Sequence, residues 1–218
     1  MKDYCPIVLD LRKKKCLVVG GGNVALRKVK TLLLCGARIH IVSPTLCHGL
    51  REIVENGEVL YEDLYYQSCL LDDVFLVISS TDDSELNRIV AKDCFSRNIL
   101  VNTSDDPSLC SFFFPSVVSR GPLSIAVSTE GRSPAFARLV REHIEELFGD
   151  DHGEFLEFLG GIRPRVVQSV PEPKKRKELF LRLAGREFYE LFQNVTEKEL
   201  EKRVSELIDQ YGHPEDSK

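Results

Sequence analysis

The chain has 218 residues, of which 43% are hydrophobic, and can therefore bury a core in one or two compact units. Its formal net charge of -5 argues against general affinity for nucleic acid or an anionic membrane, because both require clustered positive charge. There is no signal peptide and no apolar run long enough to span a bilayer. The seven scattered cysteines and five histidines show no metal-binding spacing. We therefore expect a cytoplasmic protein with reduced thiols and no metal site.

The first hundred residues alternate between short apolar runs and longer amphipathic stretches, as expected when parallel strands are joined by crossover helices. The expected fold class is α/β, with an N-terminal Rossmann-like parallel sheet. Residues 24–35 carry one apolar helical face, and Gly36 just beyond them is typical of a helix stop. The predicted strands are residues 16–19, 38–42, 58–64, 74–79 and 99–103.

The pattern changes at Phe112, where residues 112–119 and 123–128 read as two strands joined by the turn Arg120-Gly121-Pro122. Ser133-Pro134 then has the chemistry of a helix start, with an N-cap hydroxyl before a proline at the first helical position. This helix is predicted to run to about Phe148. Its apolar stripe is expected to pack on its own sheet or on a second subunit.

Beyond Gly149 the chain becomes charged and helical in character. Gly160-Gly161 and the prolines at 164, 171 and 173 are predicted to divide it into short helices. The last helix is predicted to open with a capping box, from Thr196 to Glu199. The expected domains are therefore residues 1–111, 112–149 and 150–218.

A glycine-rich loop gives the strongest chemical signal, because Gly20, Gly22 and Ala25 form a G-x-G-x-x-A fingerprint between a strand and a helix. Gly20 permits the tight turn, Gly22 lets the backbone approach a pyrophosphate, and Ala25 allows close helix packing. The N–H groups at Asn23 and Val24 are then expected to hold the phosphates. Three glycines also form flexible turns without a ligand, but the strand before and the helix after favour a dinucleotide site.

Polar residues follow two other predicted strands. Ser43-Pro44-Thr45 stands where many NAD enzymes carry an acid for the ribose, so Ser43 or Thr45 is expected to bind the ribose instead. The nearby Arg38 leaves binding of a 2′-phosphate, and therefore of NADP, as an open alternative. After the fourth strand we expect Thr81 to line the site and Asp83 to cap the next helix.

Together these motifs resemble the precorrin-2 dehydrogenase domain of siroheme synthases, a family with bifunctional members that also insert iron. The resemblance covers about the first 150 residues. It implies an NAD-binding domain over residues 1–111, a dimerisation and substrate-binding region over 112–149, and a helical C-terminal domain over 150–218. It further implies a homodimer that uses NAD to oxidise the tetrapyrrole precorrin-2 to sirohydrochlorin. The segments that carry it are residues 6–11, 18–28, 36–44, 102–107, 114–116 and 124–141.

Asp105 matches the position of this family's catalytic aspartate. Removing two hydrogens as a hydride and a proton requires a base beside the nicotinamide, and Asp105 follows the fifth predicted strand at the edge where ligands of such sheets bind. The neighbouring Asp106 is less usual there, so which carboxylate acts stays open. An Asx-turn before Pro107 is a structural reading that is compatible with the catalytic one.

Substrate recognition requires local positive charge, because precorrin-2 carries eight carboxylates. Arg141 shares a helical face with Arg138, and for Arg141 a solvated ion pair with Glu142 or Glu145 is an equal alternative. The hydroxyl loop of the family corresponds here to Thr129 and its neighbours. The predicted substrate-binding residues are Arg120, Thr129, Arg132, Ser133 and Arg138.

Two other functions compete with dehydrogenation. A non-catalytic dimeric NAD-binding redox sensor would need neither Asp105 nor the arginines. An ordinary small-molecule oxidoreductase is disfavoured by the lack of a Tyr-x-x-x-Lys pair. Iron insertion stays open, because chelation requires only a base and a path for Fe²⁺.

Overall fold

The computed structural model describes residues 4–212, and the chain divides into two compact units. The first unit runs to Phe114 and includes Glu130–Arg132. The second comprises Pro115–Thr129 and the residues from Ser133 onward. The predicted regions 112–149 and 150–218 thus fall largely into one unit, and the first unit ends three residues beyond position 111.

A five-stranded parallel sheet forms the centre of the first unit, as the alternating pattern predicts. The order β3-β2-β1-β4-β5 places β1 at the point where the connections change direction. In sheets of this kind ligands bind beyond the carboxyl ends of the strands at that point. The strands are β1 (Lys15–Val19), β2 (Arg38–Val42), β3 (Leu60–Glu62), β4 (Leu76–Ser79) and β5 (Leu100–Thr103).

Three helices cover the two faces of this sheet, and they are α1 (Asn23–Leu34), α2 (His48–Glu55) and α3 (Ser84–Ser96). Successive side chains of a strand point to opposite faces. Val18 accordingly packs with α1 and α2, whereas Leu17 packs with α3, and both are fully buried. The two apolar layers fix the positions at which the loops leave the carboxyl edge.

The strand predicted from Phe112 begins later, at Ser116, because the preceding aromatic residues belong to the core of the first unit. Phe112 and Phe114 pack against the cluster on the α1 side. Asn102 Nδ2 donates to the carbonyl of Phe112 at 3.0 Å, and Lys28 Nζ lies 3.9 Å from the centre of the Phe114 ring. Burial of these rings overrides the local strand pattern.

The second unit begins with the predicted hairpin, formed by the antiparallel strands β6 (Ser116–Arg120) and β7 (Leu123–Val127). Gly121 has a φ of +52°, which suits the two-residue turn. Helix α4 (Pro134–Leu147) follows, and Ser133 Oγ accepts from the N–H of Phe136 at 3.2 Å. The predicted N-cap and first-turn proline are therefore confirmed.

Four further helices complete the unit: α5 (Asp150–Ser169), α6 (Pro173–Leu183), α7 (Arg186–Asn194) and α8 (Glu197–Gly212). The predicted break at Gly160-Gly161 and Pro164 is wrong, because α5 continues through them. Ile162 and Val166 are buried on both sides of the exposed Pro164, so core packing outweighs one lost backbone hydrogen bond. Within residues 4–212, none of the helices combines the length and apolarity needed to cross a membrane.

The capping box that opens α8 is confirmed. Glu199 Oε2 accepts from the N–H of Thr196 at 3.0 Å, and the N–H of Glu199 donates to Thr196 Oγ1 at 3.4 Å. Each of the two side chains accepts a hydrogen bond from a backbone N–H that has no partner inside the helix. The start of α8 is set by contacts between residues only three positions apart, which is why the sequence alone predicts it.

Replacing Pro164 with alanine is expected to stabilise the protein by about 1 kcal/mol, because alanine restores the N–H that a helix interior requires. Pro164 is exposed, so no packing is lost. Thermal unfolding followed by circular dichroism measures the change. Pro173→Ala is the matched control, since Pro173 stands at the start of α6, where proline is favourable. A lower melting temperature for Pro164→Ala would contradict this account.

Candidate functional site

The turn after β1 requires glycine at its first two positions. Gly20 has a φ of +117°, and a Cβ there would lie 2.4 Å from the carbonyl oxygen of Ser80. A Cβ on Gly21 would lie 1.8 Å from the carbonyl oxygen of Thr45. The requirement at Gly20 agrees with the fingerprint, whereas the role of Gly21 was not anticipated. Both glycines bring neighbouring loops together at the carboxyl edge of the sheet.

Gly22 differs, because a Cβ there would meet nothing within 4 Å. It is the N-cap of α1, in an extended conformation, and no side chain caps this helix end. The first N–H groups of a helix have no partner inside the helix. Asn23 and Val24 are exposed beside this open space. The turn therefore forms a cradle of backbone donors at a helix N-terminus, which fits the pyrophosphate of a dinucleotide.

The loop after β2 holds itself together through Ser43. This buried hydroxyl donates to the carbonyl of Thr45 at 2.8 Å, and Tyr61 Oη donates to the carbonyl of Ser43 at 3.0 Å. Pro44 and Thr45 are exposed. Of the two hydroxyls considered for the ribose, Thr45 is thus the one that faces solvent.

Arg38 lies at the amino end of β2, roughly 13 Å from its carboxyl end at about 3.3 Å per residue. Its Nε donates to the carbonyl of Lys13 at 2.9 Å. Arg38 is therefore too far from the carboxyl edge to bind a 2′-phosphate there, and the alternative of NADP loses this support. A residue that is close in sequence to the site can still lie at the amino end of its strand, away from the carboxyl edge where ligands bind.

A shallow cleft lies beside the glycine turn at this edge. Thr81 lines it, as expected, and so does a tyrosine pair that the sequence patterns did not single out. Tyr65 is 74% exposed, whereas Tyr66 Oη donates to Asp93 Oδ2 at 2.9 Å. The lining residues are Val19, Gly20, Val42, Ser43, Pro44, Leu64, Tyr65, Tyr66, Thr81 and Leu86.

Thr81 is fixed by Asn87, a fully buried residue of α3. Thr81 Oγ1 lies 2.9 Å from Asn87 Oδ1, and Asn87 Nδ2 donates to the carbonyl of Thr81 at 3.1 Å. The predicted cap of α3 is confirmed, since Asp83 Oδ1 accepts from the N–H groups of Glu85 and Leu86. The loop after β4 is therefore anchored at both ends.

Asp105 is an exposed carboxylate just beyond β5. Partial burial acts to raise its pKa, but hydrogen bonds from Asn87 and Ser84 and from two backbone N–H groups outweigh that effect. Its pKa consequently lies below the ordinary value, because these donors stabilise the charged form. At neutral pH Asp105 is ionised and able to accept a proton.

Asp106 has a different task. Its Oδ1 accepts from the N–H of Ser108 at 2.8 Å and from the hydroxyl of Ser108 at 2.7 Å. It thereby caps the 3-10 turn Pro107–Leu109. The Asx-turn that was expected before Pro107 is therefore made by Asp106. The side chain of Asp105 takes no part in this turn.

The glycine turn and Asp105 lie at the same edge of the sheet. Val19 of β1 pairs with Ser79 of β4, and Ser79 pairs with Thr103 of β5. The two loops are therefore two strand spacings apart, roughly 10 Å. A dinucleotide is long enough to extend from the turn to the carboxylate.

In the second unit Arg120 has a structural role. Its Nε donates to the carbonyl of Phe148 at 3.0 Å, Nη1 donates to the carbonyl of Ser119 at 3.0 Å, and Nε lies 3.4 Å from Asp150. These contacts join the hairpin to the end of α4. Among the predicted substrate-binding residues, Arg120 is the one whose guanidinium is extensively engaged within the protein.

The other predicted arginines are more exposed. Arg138 pairs with Glu142 at 2.8 Å with 75% of its side chain exposed, and Arg132 lies 3.9 Å from Glu130 with 77% exposed. Surface pairs of this kind hold little energy and open readily for a ligand. Arg141 pairs with both Glu142 and Glu145, in agreement with the ion-pair alternative.

The hydroxyl loop before α4 is ordered by its own hydrogen bonds. Thr129 Oγ1 donates to the carbonyl of Ser133 at 3.1 Å and accepts from the N–H of Ser133 at 3.2 Å. The loop turns through Glu130 and Gly131, both of which have positive φ. Thr129 and Ser133 thus shape the loop that carries Arg132.

We expect Arg120→Ala to destabilise the second unit by about 2 kcal/mol, because the carbonyls of Phe148 and Ser119 lose a charged donor. Arg138→Ala is the matched control, with an expected change within about 0.5 kcal/mol for an exposed pair. Melting temperatures by circular dichroism compare the two. Equal stability of both variants would show that the Arg120 contacts contribute nothing.

Metal sites and disulfides are not seen in the part of the chain that the structure describes. Among residues 4–212 no group of three potential ligands is arranged to hold a metal ion, and all seven cysteines are free. Burial raises the pKa of the Cys16 thiol to about 11. One histidine, His213, lies outside the described residues.

Residues 7–116 match the model of a family described as NAD(P)-binding. The chain belongs to this NAD(P)-binding family. Residues 120–147 match a second model, described as the central part of a sirohaem biosynthesis protein. The first match spans the glycine turn, Thr81 and Asp105, and the second spans the hairpin turn and α4. The Rossmann-like interpretation of the glycine fingerprint is thereby confirmed.

Relatives of this NAD(P)-binding chain include several named siroheme synthase. Siroheme synthase 1 of Serratia proteamaculans is 38% identical over 210 residues, which are 96% of this chain and 44% of that protein. Siroheme synthase of Zymomonas mobilis is 41% identical over 175 residues, or 80% of this chain and 37% of that protein. The chain thus spans less than half the length of these relatives.

A solved structure of SirC, a precorrin-2 dehydrogenase, is also similar to this chain. The TM-score is 0.79, and the match covers 95% of this chain and 100% of SirC at 24% sequence identity. This likeness shows the shared fold. It agrees with the predicted order of a parallel sheet, a hairpin with a helix, and C-terminal helices.

Proposed function

We propose that this chain catalyses the NAD-dependent dehydrogenation of precorrin-2 to sirohydrochlorin, in the cytoplasmic biosynthesis of siroheme. The observation that carries the proposal is the ionised Asp105 at the same sheet edge as the glycine cradle. The relatives named siroheme synthase and the likeness to a precorrin-2 dehydrogenase support the choice of substrate. The partner molecules of the chain are then a tetrapyrrole, NAD and a second copy, without nucleic acid or membrane.

NAD is held, in this proposal, by the glycine turn and the loops beside it. Gly20 and Gly22 shape the cradle, and the N–H groups of Asn23 and Val24 face the pyrophosphate. Ser43, Pro44 and Thr45 form the ribose end, with Thr81 on the other side of the cleft. None of the described residues that line this cleft is an arginine, and this favours NAD over NADP.

Asp105 acts as the general base. Bound NAD⁺ supplies a hydride acceptor. The oxidation also releases a proton, and the carboxylate of Asp105 takes it. The pKa of Asp105 lies below its ordinary value, so the carboxylate is ionised at neutral pH.

The carboxylates of the substrate require cations. Arg132 and Arg138, with exposed guanidinium groups, are the residues we assign to them. Thr129 and Ser133 order the loop before α4, and Arg120 joins the hairpin to the end of α4. In this proposal Arg120 contributes to substrate binding indirectly, by holding the hairpin in place.

A homodimer is part of the same proposal. Within residues 4–212 no further strand pairs with the two edges of the sheet β6–β7, and such edges favour pairing with another chain. Helix α4 also exposes Phe136, Leu139 and Leu147, at 57%, 46% and 71%. Sedimentation equilibrium is expected to give twice the 24.7 kDa chain mass. A monomer at micromolar concentration would exclude this part of the proposal.

Anaerobic incubation of the purified chain with precorrin-2 and NAD⁺ tests the activity. The expected result is the sirohydrochlorin absorption spectrum, together with one NADH per turnover. NADP⁺ in place of NAD⁺ is expected to give slower conversion. NADH binding without any conversion would instead identify the redox-sensor alternative.

Sirohydrochlorin ferrochelatase activity is a second candidate, favoured by the siroheme synthase names of the relatives. Chelation needs a base that removes pyrrole protons, and Asp105 is the carboxylate available for it. Adding Fe²⁺ or Co²⁺ to sirohydrochlorin, without NAD⁺, measures this activity separately. Insertion no faster than in buffer would exclude it.

A further inference from the structure

We propose that Thr103 and Cys110 are positioning residues of the candidate site: the threonine hydroxyl and the cysteine sulfur close the loop of residues 104–109 onto the end of β5 and thereby fix the place of Asp105. We call residues 104–109 the Asp105 loop. The proposal rests on the proposed function, in which Asp105 is the base. Both residues act through the loop and not on the substrate. The sequence patterns assigned a role to neither of them.

The two ends of the Asp105 loop are joined at its base by hydrogen bonds. The N–H of Ser111 donates to the carbonyl of Val101 at 2.8 Å, and the N–H of Val101 donates to Ser111 Oγ at 2.8 Å. Asn102 Nδ2 donates to the carbonyl of Phe112 at 3.0 Å. The chain that returns from the loop therefore runs beside the strand from which it left, and the loop starts from a fixed base.

The sulfur of Cys110 lies just above this base, among polar groups of β5. Cys110 Sγ accepts from the N–H of Thr103 at 3.2 Å and lies 3.5 Å from Asn102 Nδ2, a second donor. It also lies 3.4 Å from the carbonyl of Thr103 and 3.5 Å from the carbonyl of Asp106. A thiol has one proton, so it donates to one of these carbonyls while it accepts from the N–H groups. The sulfur thus joins the end of β5 to the far side of the loop.

Thr103 closes the loop from the strand side. This residue is buried, and its Oγ1 donates to the carbonyl of Asp106 at 2.7 Å. The same carbonyl accepts from the N–H of Leu109 at 3.2 Å, and Thr103 Oγ1 lies 3.5 Å from Cys110 Sγ. The hydroxyl, the sulfur and the carbonyl therefore form one connected group of polar atoms at the neck of the loop.

Asp105 stands between two neighbours whose backbones are held. The N–H of Ser104 donates to the carbonyl of Ser79 on β4 at 3.0 Å. Asp106 is held through its carbonyl by Thr103 and through its side chain by the turn that it caps. A loop without such contacts opens readily, and a base displaced by about 1 Å can lose about 100-fold in rate. Thr103 and Cys110 thus fix the backbone from which the carboxylate projects.

The thiol of Cys110 also provides a direct measure of the loop. Cys110 is half-buried and its sulfur is engaged, so a reagent reaches the sulfur when the loop opens. Cys94 on α3 and Cys16 on β1 are fully buried in the same unit, and they react when the whole unit unfolds. Faster labelling of Cys110 without faster labelling of Cys94 therefore reports local opening of the loop.

The first measurement uses the full chain without cofactor. Labelling with iodoacetamide, followed by peptide mass spectrometry, gives a rate for each cysteine in the wild type and in Thr103→Val, which keeps the side-chain shape but loses the hydroxyl. Labelling of Cys110 is expected to accelerate roughly tenfold, the effect of losing one hydrogen bond, with Cys94 unchanged. Thr31→Val is the matched control, because Thr31 Oγ1 donates to the carbonyl of Arg27 within the exposed face of α1. An unchanged rate at Cys110, or equal acceleration at Cys110 and Cys94, overturns the proposal.

The second measurement follows dehydrogenation. In Thr103→Val, kcat is expected to fall roughly 10- to 100-fold, with the KM for NAD⁺ changed by less than about threefold. Thr103→Ser retains the hydroxyl and is expected to restore kcat to within about threefold of the wild type. A merely structural role would lower the melting temperature and leave kcat of the folded protein unchanged.

A second variant keeps the proposal testable if Thr103→Val does not fold. Cys110→Ala then replaces it, and hydrogen exchange at the N–H of Leu109 replaces the thiol label, because this N–H donates to the carbonyl of Asp106 inside the loop. Exchange is expected to accelerate roughly tenfold. Exchange at the wild-type rate overturns the proposal.

The two measurements fail separately. If the wild type converts no precorrin-2 but Thr103→Val accelerates labelling of Cys110, the proposed function is wrong and the closure of the loop stands. If the wild type is active and Thr103→Val opens the loop but keeps its kcat, Thr103 and Cys110 do not position the base.

Discussion

Asp105→Asn is expected to lower the rate of precorrin-2 oxidation roughly 100- to 10,000-fold, the usual contribution of a general base. The amide keeps the size of the side chain but cannot take a proton. Its exposed position means that folding is unaffected. Single-turnover absorbance under anaerobic conditions measures the rate, and NADH fluorescence checks that the cofactor still binds.

Asp106→Asn is the control for this change. An asparagine oxygen still accepts from the N–H of Ser108, so the cap of the 3-10 turn is kept. We expect a rate within about threefold of the wild type. Because the pKa of Asp105 is depressed, it stays charged as the pH falls, and the wild-type rate is expected to drop only below the ordinary pKa range of an aspartate. If activity is lost in Asp106→Asn but kept in Asp105→Asn, the base is Asp106 and the assignment to Asp105 is wrong.

Gly21→Ala is expected to destabilise the first unit by about 3 kcal/mol, because its Cβ would overlap the carbonyl oxygen of Thr45. The obstacle is backbone, so the loop after β2 has to move. The chain contains no tryptophan, and unfolding is therefore followed by circular dichroism. NAD affinity falls together with stability, since the same loop carries Pro44 and Thr45.

Gly22→Ala separates folding from binding. A Cβ at Gly22 meets open space within the protein, and its extended backbone suits alanine, so the expected loss of stability is about 1 kcal/mol or less. The same Cβ projects into the cradle, and NAD affinity should fall roughly tenfold or more. Calorimetric titration with NAD⁺ decides the matter. Unchanged affinity in a folded Gly22→Ala protein would exclude the cradle as the pyrophosphate site.

Predictions that depend on a few consecutive residues succeeded. The glycine turn, the caps at Asp83 and Ser133, and the capping box at Thr196 are set by backbone conformation and by hydrogen bonds within one turn. Such contacts form wherever the chain places them. The helix starts were therefore predictable without knowledge of the fold.

Predictions that depend on distant contacts were less complete. Arg38 left a 2′-phosphate, and therefore NADP, as an open alternative, yet it lies at the opposite end of its strand from the site. Gly160-Gly161 and Pro164 were expected to break a helix that core packing keeps whole. In both cases the local pattern gave the wrong expectation, because the position of the residue in the sheet or bundle decided the outcome.

The sequence by itself determined the parallel sheet, its glycine cradle and the carboxylate pair after the fifth strand, because periodicity and short motifs encode them. Only the tertiary structure decided that Gly21 must leave room for the carbonyl of Thr45, and that Arg120 joins the hairpin to the end of α4. These roles depend on partners far apart in the chain. A hydrogen bond across 28 residues, from Arg120 to Phe148, leaves no periodic trace in a single sequence.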